Sequence, residues 1–113
     1  MFIIDEKNKI TIVKGDTAII TLSLAEYNLV EGDQVKLTVK KSANAKEPVI
    51  TKVVTEFVEG KAIIELLEED TTINAGDYVY EIEVRLANGT VDTVIQATKF
   101  KVIADLGWYK WQI

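Results

Sequence analysis

The sequence predicts an all-β fold: an immunoglobulin-like antiparallel β-sandwich of about seven strands, followed by an aromatic tail. Three observations predict it. Residues 74–86 open on a turn signal and then alternate, with Tyr78, Tyr80, Ile82, Val84 and Leu86 on one face and Asp77, Glu81, Glu83 and Arg85 on the other. Side chains on a strand point alternately to opposite faces, so this is a half-buried strand. Residues 34–41 repeat the pattern, with Val35, Leu37 and Val39 set against Gln34, Lys36, Thr38 and Lys40. The six glycines each precede a segment that reads as extended, and they punctuate the chain at the regular spacing of a sandwich or barrel.

In chain order, residues 9–13 form the first full strand, preceded by an edge piece over residues 2–4. Residues 17–24 follow, with Ala18, Ile20, Leu22 and Leu24 inward; Ile19 interrupts the polar side and is expected under a neighbouring loop. A connection over residues 26–33 ends in the turn Glu31-Gly32-Asp33. After the strand at 34–41, residues 42–47 read as a loop with room for a helical turn. Pro48 sits where a strand begins without donating a hydrogen bond. Residues 49–58 are a β-branched strand, and Gly60 is expected to open a hairpin into residues 61–67. Residues 68–72 read as a short helical turn crossing between sheets. Asn88-Gly89 is the preferred pair for a two-residue type I′ turn after the strand at 74–86. Residues 90–103 are too long for one regular strand, and their apolar register shifts, which predicts a bulge near Gln96-Ala97-Thr98. The domain thus covers residues 1–104 and the tail residues 105–113.

In immunoglobulin-like sandwiches a tyrosine near the start of the penultimate strand caps the preceding crossover with its hydroxyl. The stretch from Asp70 through Tyr78 has that form, with Tyr78 in the capping position. The alternative for Tyr78 is an ordinary core tyrosine.

Composition narrows the chemistry. At 113 residues and 48% hydrophobic, the chain suits one domain with a core of its own. It has no cysteine and no histidine, which removes disulfides, His/Cys zinc sites and the Ser-His and Cys-His nucleophile systems. A net charge of −5 works against nucleic-acid phosphates; Lys36, Lys40 and Lys41 read as a solvated strand face. The N-terminus lacks the pattern of a signal peptide, and no apolar run approaches the ~20 residues of a membrane helix. No membrane partner is expected, and the expected location is a virion or the host cytoplasm.

Glu81 and Glu83 project from one strand face about 7 Å apart, near the spacing of inverting glycosidase carboxylates. Any strand gives that distance, and with Arg85 beside them the ordinary reading is a solvated face with a cross-strand ion pair. Glu68, Glu69, Asp70 and Asp77 gather acid around one turn without the ligand spacing of a calcium loop; acids at a helix start explain the first three. No phosphate-cradling glycine loop occurs. No catalytic residue, metal or cofactor is therefore expected.

The tail differs. Trp108, Tyr109, Trp111 and Ile113 fall within the last six residues, and both tryptophans of the chain are among them. Aromatics supply contact energy at low entropic cost. The tail either folds back on its own domain or docks on another subunit.

Several segments resemble the N-terminal domain of the phage baseplate upper protein family of Gram-positive hosts. They are Lys14-Gly15-Asp16-Thr17-Ala18, the run from Gly32 to Lys41, Ala75-Gly76-Asp77-Tyr78-Val79-Tyr80-Glu81-Ile82, the run from Asn88 to Val94, and Lys99-Phe100-Lys101-Val102. The likeness spans roughly residues 9–103. Where the family usually has a glycine before the Lys-Phe pair, this chain has Ala97-Thr98, and family members are usually much longer. The resemblance implies a non-enzymatic virion or prophage structural module. Its expected partners are other tail or baseplate subunits, in a homo-oligomer. The rival expectation is a carbohydrate- or cell-surface-binding module that stacks a cell-wall glycan on Trp108 or Trp111.

Overall fold

A computed structural model describes residues 1–106. It contains eight strands and one helical turn. These are β1 (Phe2–Ile4), β2 (Ile10–Val13), β3 (Ala18–Leu22), β4 (Gln34–Lys40), β5 (Pro48–Val54), β6 (Ala62–Leu66), α1 (Glu68–Thr71), β7 (Gly76–Arg85) and β8 (Val91–Ile103). They form a six-stranded sheet in the order β1-β2-β8-β7-β4-β5 and a two-stranded sheet of β3 and β6. The arrangement is an immunoglobulin-like sandwich, with β8, β7 and β4 adjacent in one layer and the β3–β6 pair forming the other. Every pairing is antiparallel except β2 with β8, which runs parallel from Ile10 beside Phe100 to Val13 beside Ile103. That pairing joins β2, near the start of the domain, to its last strand.

The core follows from period-2 alternation on both layers. Ala18, Ile20 and Leu22 of β3 and Ala62, Ile64 and Leu66 of β6 are buried. Facing them are Val35, Leu37 and Val39 of β4, Tyr78, Tyr80, Ile82 and Val84 of β7, and Phe100 and Val102 of β8. Tyr80 and Phe100 meet edge to face, ring centroids 5.9 Å apart. Burial of these side chains is the main favourable term in holding the layers together.

Several local expectations change once the layers are known. Ile19 is 63% exposed on the outer face of β3, not tucked under a loop, because the two-stranded sheet has nothing packed over that face among the described residues. The strand expected over 49–58 ends at Val54, and β5 and β6 are not a hairpin: β5 pairs with β4 and β6 with β3. The chain changes layers between them. It does so through a tight turn in which Val58 and Lys61 exchange both backbone hydrogen bonds at 3.0 Å. The two residues between, Glu59 and Gly60, have φ of +51° and +76°, so the type I′ turn lies here.

At Asn88-Gly89 the loop has three residues instead of two. Leu86 N–H donates to Thr90 O and Gly89 N–H to Leu86 O, with Gly89 at φ +95°. This is a type I turn closed by a glycine bulge. Asn88 acts through its side chain, whose Oδ1 accepts the Thr90 N–H at 2.9 Å. The bulge expected near 96–98 is present: Tyr80 pairs with Thr98 and Ile82 with Ile95, so β8 carries one extra residue between them. A second irregularity follows, since Glu83 pairs with Thr93. Residues 42–47 hold a turn, with Ala45 N–H donating to Ser42 O, and no helix.

Candidate interaction surface

Tyr78 and Tyr80 both point into the sandwich, and both hydroxyls donate to backbone carbonyls. Tyr78 Oη reaches Asn74 O at 2.6 Å, four residues upstream across the turn that enters β7. This is the capping hydrogen bond that defines a tyrosine corner. Tyr80 Oη donates to Asn8 O in the β1–β2 turn, where Asn8 takes a positive φ of 66°. Burial, with a contribution from the Asp5 charge, pushes the Tyr80 hydroxyl up to about 12. The sequence offered no signal for this second anchor, whose two ends lie 72 residues apart.

A second polar anchor holds the opposite end. Asp33 is buried; one carboxylate oxygen accepts the Val30 N–H and the other the Ala87 N–H, both at 2.9 Å. Those two bonds tie the β3–β4 loop to the β7–β8 turn and hold the Asp33 carboxyl below its ordinary range. Tyr27 Oη donates to Asp92 at 3.0 Å and reinforces the same junction. That hydrogen bond raises the Tyr27 hydroxyl's pKa. An open groove lies alongside, between residues 29–34 and 55–57.

The charged side chains singled out in the sequence are spread over the outside. Glu81 and Glu83 stand on the outer face of the six-stranded sheet, opposite Thr38 and Lys36. Arg85 Nε bonds Glu83 at 2.9 Å along the same strand, so the ion pair is not cross-strand. Lys40 lies beside Val79, and Lys99 flanks Val79 on its other side. Asp70 serves the local structure. It accepts the Leu67 N–H at 2.7 Å, the reciprocal half of a capping box, and pairs with Lys52 Nζ at 2.6 Å. Among the described residues no three acidic groups converge on a metal position.

Apolar side chains are exposed elsewhere. On the outer face of the two-stranded sheet, Ile19 and Ile63 stand 63% and 41% exposed on neighbouring strands. Leu106, where the described chain stops, is also exposed. The expected contact residues Trp108, Tyr109, Trp111 and Ile113 lie outside the described residues. No described helix is long and apolar enough to cross a membrane.

No protein-family model and no curated protein matches this chain. Among solved structures, a candidate glycoside hydrolase from Bacteroides vulgatus aligns over 84% of the chain at 13% identity with a TM-score of 0.49. The chain covers 16% of that protein.

Proposed function

We propose that this chain is a non-enzymatic β-sandwich module of phage or prophage origin, acting through protein–protein contacts in a tail or baseplate assembly built from several copies. The observation that carries the reading is the apolar outer face of the β3–β6 sheet. Among the described residues both strands of this sheet are edge strands, and an uncovered edge with exposed apolar side chains favours association. The resemblance of residues 9–103 to the baseplate upper protein family supports the same direction. Trp108, Tyr109, Trp111 and Ile113 supply a further contact to a neighbouring subunit. Light scattering of the full chain and of a chain ending at Ala104 tests the tail's part. The expected result is fewer chains per particle for the shortened chain, and an equal number would remove the tail from the assembly.

A further inference from the structure

The outer faces of the two sheets differ in how charge and apolar surface are arranged. The large sheet presents Lys36, Lys40, Glu81, Glu83, Arg85 and Lys99 with the exposed Val53 and Val91 scattered among them, and single apolar side chains set among charges are ordinary surface. The small sheet presents Ile19, Thr21 and Ile63, with Ile19 opposite Glu65 and Thr21 opposite Ile63. Glu65 stands at one end of this strip. Lys61, immediately before β6, stands at the other. Residues 61, 63 and 65 share a face by strand alternation, so the two charges lie about 13 Å apart with Ile63 midway. Lys61 and Glu65 are both exposed, and neither belongs to an ion pair among the described residues.

That order, cation, apolar centre, anion, is self-complementary under a two-fold rotation. Take the axis in the plane of the face, crossing the strands at the level of Ile63 and Thr21. Ile63 then lies over its counterpart, each Lys61 faces the other copy's Glu65, and Ile19 lies beside each ion pair and shields it. Face-to-face packing of two sheets with nearly aligned strands is an ordinary arrangement, and a two-fold contact uses the same patch twice. We propose that this face binds a second copy of the chain, forming an isologous dimer through Ile19, Lys61, Ile63 and Glu65. The inference rests on the self-assembly reading above and names the surface that carries it. The strip is narrow compared with the roughly 800 Å² per partner of a standard interface. The dimer is therefore a weak one that local concentration within an assembly would favour.

The test is sedimentation equilibrium of the full chain as wild type, Lys61→Glu, Glu65→Lys and the double variant carrying both changes, with thermal melts to show that each is folded. Each single change sets like charges against each other at both symmetric positions. About a tenfold weaker dimer is expected. The double variant restores opposite charges and should return to wild-type association. Single variants that associate as tightly as wild type, or a double variant no better than the singles, would overturn this surface while leaving self-assembly standing. A wild-type chain that stays monomeric at every concentration would overturn both.

Discussion

Tyr78 and Tyr80 are two inward residues on one strand, yet they hold different parts of the chain. Tyr78 closes a local turn onto Asn74, whereas Tyr80 pins the distant β1–β2 turn through Asn8. Replacing either by Phe keeps the ring and removes the hydroxyl, and each change should lower stability by about 1 kcal/mol in urea unfolding. The Tyr80 variant should also alter the alkaline limb. Tyr80 is held up to about 12 in the folded state against an ordinary value of 10. Above pH 10 the unfolded chain loses this proton while the folded chain keeps it, so stability falls as pH rises from 10 to 12. Tyr80→Phe should flatten part of that fall, and an unchanged pH profile would show that the hydroxyl is not held this way.

Asp33 acts at the acid end. Its carboxyl is held below the ordinary range by the Val30 and Ala87 amides, so its contribution is present above the unfolded pKa and lost as pH falls through the depressed folded one. Asp33→Asn should lower the urea midpoint at neutral pH, and the gap to wild type should close in acid.

Among the strands and turns, most of what could be read from the sequence was alternation. In β4 and β7 one buried face forces period 2, so Val35, Leu37, Val39, Tyr78, Tyr80, Ile82 and Val84 were identifiable as core from spacing alone. The helical turn at α1 and the first bulge of β8 were also legible, because both interrupt a pattern. Partner choice was not. Nothing local distinguishes a β5 that folds back on β6 from one that pairs with β4, since the decision depends on distant residues. Turn type was misread for a related reason. Asn-Gly favours a type I′ turn, but the hairpin closes Leu86 on Thr90 and needs three residues there, while the layer change at Val58 and Lys61 takes the type I′ turn instead.

These turn assignments predict different costs at two glycines. Gly89→Ala meets open space and is opposed by its positive φ alone, a loss of about 1 kcal/mol. Gly60→Ala should cost more, because an added Cβ would also displace the Asn28 side chain. Denaturant midpoints of the two variants compare them directly; equal losses would argue against the packing of the β3–β4 loop onto Gly60.

Across the molecule as a whole, the two layers are unequal, and the exposed chemistry follows from that. The two-stranded layer is too narrow to reach beneath every part of the six-stranded one. Lys52, which pairs with Leu37 and so faces the inner side of β5, uses this opening to reach Asp70. An inward-pointing charge of this kind discourages edge pairing at β5. β3 has no such guard, as Ala18 to Leu22 contains no charge and no proline. Among the described residues, one edge of the large sheet is guarded and nothing covers the edge of the smaller sheet. The aromatic residues of the tail were visible in the sequence. That Ile19 and Ile63 share an exposed face was not, because it depends on which strands pair.

Self-association of the full chain is decided by its mass in sedimentation equilibrium across a wide concentration range. A subunit of the proposed kind gives a weight-average mass that rises with concentration above that of one chain. A single species with the mass of one chain at every concentration would contradict it.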